Sequence, residues 1–113
     1  MEMQNIKVLY AGRTTTVEDE WQRAFVTPVK LDGATLDKIA EVNEYIGAGI
    51  SHAEYISKLD KESGAVHYQL SFELHINGED VGYGKIKLYE SEARQIETGI
   101  EHFHEQSKEV SRE

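Results

Sequence analysis

The stretch Val66–Tyr89, VHYQLSFELHINGEDVGYGKIKLY, decides the reading of this chain, because its pattern is that of a β-hairpin. Val66, Tyr68, Leu70, Phe72, Leu74 and Ile76 alternate with His67, Gln69, Ser71, Glu73 and His75, the period of two expected for a strand with one buried face. Asn77-Gly78 follows at once and suits a type I′ turn, since both central positions need φ > 0 and Asn and Gly tolerate it best. The return strand begins in phase, which sets Val81 and Tyr83 opposite Leu74 and Phe72. Ile86 and Leu88 fall on the other parity, so a one-residue bulge at Gly82 or Gly84 is expected to return all four to one face.

Working outward, Asp60–Gly64 (DKESG) is a charged turn that feeds the hairpin. Before it, Ser51 and Glu54 form an S-x-x-E capping box with Ile50 placed to staple against Tyr55, which predicts a short helix to about Leu59. Leu36, Ile39, Ala40, Asn43 and Ile46 follow helical spacing, Val42 widens the stripe, and Gly47 suits the C′ position. Asp32-Gly33 ends a strand that reaches Leu31. Pro28 within it cannot donate a ladder hydrogen bond, so that strand is expected at a sheet edge. Thr16–Glu20 reads as a helical turn or loop with a Thr cap and acids in its first turn, and Asn5–Ala11 as a first strand. Downstream, Ser91 caps a terminal helix with Glu92 at the favourable end of its dipole. Ala93, Ile96, Ile100, Phe103 and Val110 form its apolar stripe, interrupted at Ser107 and suited to cover the sheet. The order ββααββα describes one α+β domain over residues 1–113, an antiparallel sheet packed against helices.

Composition bounds the function classes. The 113 residues, 39% hydrophobic and 29% charged with one proline, belong to a folded chain of ordinary domain size. With no cysteine there is no disulfide, thiolate zinc site or cysteine nucleophile. No apolar run approaches membrane-spanning length and the N-terminus lacks a signal-peptide pattern, so a soluble, cytoplasmic protein is expected, with no membrane contact. The net charge of −9, from 21 acids against 12 bases, opposes direct binding to nucleic acid and favours a basic partner. Surface acidity also serves solubility alone.

The acidic row with most to say is Glu97, Glu101 and Glu105, spaced by four on the terminal helix and extended backwards by Glu90. Like charges at this spacing repel, which costs the fold a little and leaves the row available for a partner. Arg94 and Lys108 offer partial relief. Tyr45, Tyr55, Tyr83 and Tyr89 stand near acids, a combination shared by protein interfaces and by the rims of small cores.

Other motifs are thinner. Gly47-Ala48-Gly49 before Ser51 and His52 has the look of a glycine-rich anion loop at a helix start, although a dinucleotide fingerprint would follow a strand. His67 and His75 lie about 26 Å apart along one strand at about 3.3 Å per residue and cannot share an ion. His75, Glu73 and cross-strand Asp80 can. His102 and His104 diverge on a helix, and no HExxH is present. His52 with Glu54 or Glu73 has acid–base chemistry to offer, without a nucleophile elbow to use it. No metal, cofactor or catalytic residue is assigned on these grounds.

The sequence therefore points to a non-enzymatic acidic module that binds a basic protein surface through Glu97, Glu101, Glu105, Glu90 and Tyr89. Its sharpest form is an inhibitor seated in the nucleic-acid groove of a DNA- or RNA-processing enzyme. The chain is similar to small phage-borne anti-restriction and anti-CRISPR proteins in size, acidity and lack of cysteine. Two alternatives stand beside it: a small-ligand or anion-binding domain using Gly47, Gly49, Ser51 and His52, and a self-associating assembly component or homodimer built through the terminal helix.

Overall fold

A computed structural model describes residues 5–42 and 49–111. Its elements are β1 (Val8–Ala11), β2 (Thr15–Glu18), β3 (Gln22–Leu31), α1 (Gly33–Val42), β4 (Gly49–Asp60), β5 (Val66–Ile76), β6 (Glu79–Leu88) and α2 (Glu90–Ser111). The order is βββαβββα in place of ββααββα, and the class is α+β as expected. All pairings are antiparallel, in the order β1-β3-β4-β5-β6, with β2 also paired to β3.

The β5–β6 hairpin forms around Asn77 and Gly78, whose φ values of 53° and 80° are those of a type I′ turn. Its bulge comes earlier than Gly82 or Gly84. Leu74 pairs with Gly82 while His75 pairs with Asp80, so Val81 is the extra residue and stays exposed. This places Gly82, Gly84, Ile86 and Leu88 on the core side and turns Tyr83 outward, 79% exposed. Gly84 lies opposite Phe72, and a Cβ there would stand 2.5 Å from Phe72 Cε2, so the ring fills the space that a side chain would need.

Three readings upstream are corrected. Ser51–Leu59 is strand, not helix: β4 pairs with β3 on one side and β5 on the other, burying Ala53 and Tyr55. A capping box contributes about 1 kcal/mol and a nine-residue helix is marginal alone, so two ladders and a buried tyrosine override it. Thr15–Glu18 is also strand, and Asp19 makes a tight turn by accepting hydrogen bonds from Trp21 N and Gln22 N, both at 2.8 Å. β3 is interior, not an edge. Pro28 is accommodated because its carbonyl accepts from Gly12 N at 2.8 Å, so its missing N–H faces the same side, where residues 12–14 interrupt the pairing between β1 and β2. Its partner on the other side, Glu54, borders a bulge in β4.

Helix ends follow local chemistry. Asp32 caps α1, accepting from Thr35 N at 3.0 Å and from the Thr35 hydroxyl, which holds its carboxyl below the usual range. The expected helix from Leu36 onward is met through Val42, while Asn43, Tyr45, Ile46, Gly47 and Ala48 lie outside the described residues. α2 begins at Glu90, ahead of Ser91, and its cap is one half of a capping box: the buried Glu92 carboxylate reaches back to accept from Tyr89 N at 2.8 Å. Asp60 accepts from Glu62 N and Ser63 N in the charged turn before β5.

One core unites the layers. Ile39 from α1 and Ala93, Ile96 and Ile100 from α2 close on Val29, Leu31, Tyr55, Leu70, Phe72, Ile86 and Leu88 of the sheet. α2 lies close over β1 at Gly99, where a Cβ would meet Val8 Cγ2 at 2.8 Å.

Candidate functional site

Helix geometry decides the fate of the acidic row. Four residues advance an α-helix about 40° beyond a full turn, so Glu97, Glu101 and Glu105 drift steadily away from the stripe formed by Ala93, Ile96 and Ile100. Glu97 is closest to that stripe and half-buried. Its carboxylate accepts from Tyr55 Oη at 2.6 Å and from Arg94 Nη1 at 2.5 Å. Arg94 also donates to Tyr68 Oη at 3.1 Å and to Glu90 at 3.3 Å, with its guanidinium 5.5 Å from the Tyr68 ring centroid. Burial and the Glu97 carboxylate push the Tyr55 phenol well above its ordinary pKa, and Glu97 and Tyr68 hold Arg94 more firmly charged. This network ties β4 and β5 to the first turns of α2.

Glu101 and Glu105 are exposed and make no ion pair among the residues whose side chains are described, which end at Gln106. Tyr89, 57% exposed, stands at the start of the same helix beside exposed Glu90. Toward its far end, Tyr10, 51% exposed, packs edge-on to Phe103 at 5.4 Å between centroids. Of the five residues expected to meet a partner, four are therefore accessible, Glu90 already leaning on Arg94, and Glu97 is engaged with the sheet.

The opposite face of the sheet has different chemistry. Lys58 pairs with His67 and Gln69 with Lys87, while Lys85 sits across from Ser71, which gathers three lysines on a strip of a strongly acidic chain. Farther along this face the β4 bulge falls between Ser51 and Glu54, and His52 within it takes φ 50°. That turn sends the imidazole toward β5. His52 Nδ1 stands 2.9 Å from Glu73 Oε2, and His75 Nε2 is 3.7 Å from the same oxygen. Ser51 Oγ lies 3.0 Å from His52 Nδ1 and 2.6 Å from His75 Nε2. Two of the group, His52 and Glu73, line a cleft of about 310 Å³ together with Pro28, Glu54, Ser71 and Tyr83.

Two expectations change here. Asp80 is opposite His75 but accepts from Gly82 N at 3.3 Å, and the third member beside Glu73 and His75 is His52 from the other neighbouring strand. Gly49, Ser51 and His52 lie in β4 and Gly47 is outside the described residues, so no helix N-terminus follows them to attract an anion. A more apolar cleft of about 370 Å³ does border Ser51 and His52, lined also by Tyr10, Leu31, Leu36 and Ile50. Pairing His52 with Glu73 was within reach of the sequence. Adding His75 required β4 to be read as the strand beside β5.

Among the described residues no helix is long and apolar enough to cross a membrane. No protein-family model matches the chain, and no curated protein or solved structure shows significant similarity to it.

Proposed function

We propose that the chain is a non-enzymatic acidic module that docks on the basic surface of a nucleic-acid-binding protein. Its contact surface is the exposed side of α2, with Glu101 and Glu105 at its centre and Glu90 and Tyr89 at the start of the helix. The observation that carries this reading is the pair Glu101 and Glu105, exposed four residues apart with no ion pair among the residues whose side chains are described, which end at Gln106. Such a pair is mildly unfavourable in the free protein, and a cationic partner relieves it. The exposed carboxylates on a chain of net charge −9 favour a cationic seat, which supports the groove of a DNA- or RNA-processing enzyme. Glu97, held by Tyr55 and Arg94, belongs to the scaffold of that surface.

The test is capture of partners from the host cell on immobilised protein, compared with the Glu101→Gln, Glu105→Gln double variant at low and high salt. Steering by exposed charge predicts a partner whose association slows at least several-fold in the variant, with the difference shrinking beyond about 0.15 M salt, where the Debye length is about 8 Å. Capture of the same partner at the same rate by both proteins refutes the surface.

A second reading has its own observation. The strip containing Lys58, Lys85 and Lys87 is a cationic surface on the same chain that carries the acidic helix. Head-to-tail self-association through these two faces predicts a mass that rises with concentration and falls with salt.

A further inference from the structure

We propose that the β4 bulge and β5 together form a binding site for a divalent transition metal of the zinc class, with His52 Nδ1, the Glu73 carboxylate and His75 Nε2 as ligands. The three donor atoms lie within 4.8 Å of one another. Zinc bonds to imidazole nitrogen and carboxylate oxygen of about 2.0–2.1 Å require ligand atoms about 3.3 Å apart around a tetrahedron. The measured separations from Glu73 Oε2, 2.9 Å to His52 and 3.7 Å to His75, bracket that value. Closing the remaining gap falls to His52, whose side chain is 75% exposed and has room to swing, while His75 and Glu73 are largely fixed by the strand, at 28% and 27%.

The donor set selects the ion. Two imidazoles and one carboxylate suit zinc, cobalt or nickel, whereas calcium and magnesium prefer oxygen ligands. The backbone is arranged to the same end, because a bulge re-aims a side chain and here it turns His52, in the left-handed region at φ 50°, onto Glu73. Ser51 Oγ hydrogen-bonds the same two imidazole nitrogens, so its hydroxyl must turn aside when a metal takes those lone pairs. Three protein ligands leave at least one coordination position free, and two of them, His52 and Glu73, also line the cleft beside Ser71 and Tyr83. This site is separate from α2 and stands whether or not the helix docks on a partner.

The experiment titrates zinc chloride into tag-free, chelator-stripped full chain by calorimetry, with cobalt(II) absorption reporting coordination geometry. One saturable equivalent is expected, with affinity about a hundredfold or more lower in Glu73→Gln and in His75→Gln, since even outer-shell changes at metal sites cost 10- to 100-fold. His102→Gln is expected to bind as the parent does. Zinc should also raise the thermal midpoint of the parent and leave that of Glu73→Gln unmoved, a comparison that survives if His75→Gln folds poorly. Absence of saturable uptake, or uptake unchanged in Glu73→Gln, or uptake lost in His102→Gln, overturns the assignment.

Discussion

Replacing Tyr55 with Phe removes one hydroxyl and tests whether Glu97 holds the molecule together or is free to serve a partner. The phenol is buried, with Tyr55 4% exposed, and donates at 2.6 Å to a carboxylate that also receives Arg94 at 2.5 Å. Hydrogen bonds to charged acceptors contribute about 1.5–3 kcal/mol. The Glu97 side chain is 35% exposed and recovers some hydration when the donor is lost, which selects the low end, about 1.5 kcal/mol. For a chain of this size that is a fall of about 6 °C in the thermal midpoint. Glu97→Gln keeps an acceptor for the phenol but gives up the charge, and should cost about 1 kcal/mol. The double variant should cost less than the sum, with a coupling of about 0.5–1 kcal/mol, because both changes remove the same contact. Urea and thermal unfolding of the four proteins close the cycle. Alkaline titration gives a second signature: the folded phenol's pKa is raised, so its contribution is complete below the unfolded pKa of about 10 and is lost as pH climbs above it. The parent should therefore weaken at high pH more steeply than Tyr55→Phe. A Glu97→Gln protein as stable as the parent, or additive single changes, would refute the placement of Glu97 against the sheet.

Glu101→Gln with Glu105→Gln should leave the unfolding midpoint unchanged or raise it by a few tenths of a kcal/mol, since only repulsion is removed; a clear loss measured in urea would mean these carboxylates are structural. Gly78→Val puts a β-branched residue at φ 80° and should cost more than about 1 kcal/mol, an unchanged midpoint excluding the type I′ turn. Gly84→Ala drives a methyl to within 2.5 Å of the Phe72 ring and should cost about 1–3 kcal/mol by overpacking, with near-ultraviolet dichroism reporting the displaced ring and an unaltered spectrum and midpoint counting against the contact. Glu18, hydrogen-bonded by Arg23 at 2.9 Å and paired with Lys61 at 2.7 Å, has its pKa lowered from 4.5 to about 2. Its contribution is present above pH 4.5 and lost as pH falls toward 2, so acid should weaken Glu18→Gln less than the parent; identical acid limbs would contradict the pairing.

The sequence by itself determined the features whose causes are local. Alternation from Val66 to Ile76 set one face of β5, and Asn77-Gly78 set the turn, because backbone conformation at those positions depends on the residues themselves. The stripe Ala93, Ile96, Ile100 likewise named the buried side of α2. Tertiary structure decided the elements in which local signals competed. Ser51 and Glu54 carry a helix cap worth about 1 kcal/mol, yet strand pairing on both sides takes the segment, and no neighbouring residue announces that those partners exist. Pro28 enters an interior strand because its missing donor faces a break between β1 and β2, a vacancy created by the paths of other strands. The two candidate sites divide in the same way. Spacing placed Glu97, Glu101 and Glu105 along one helix, while the angle at which α2 lies on the sheet gave Glu97 to Tyr55 and left the other two to solvent. His52, Glu73 and His75 come together only through the β4–β5 register and a one-residue bulge, and register is a property of paired strands that neither strand's sequence states alone.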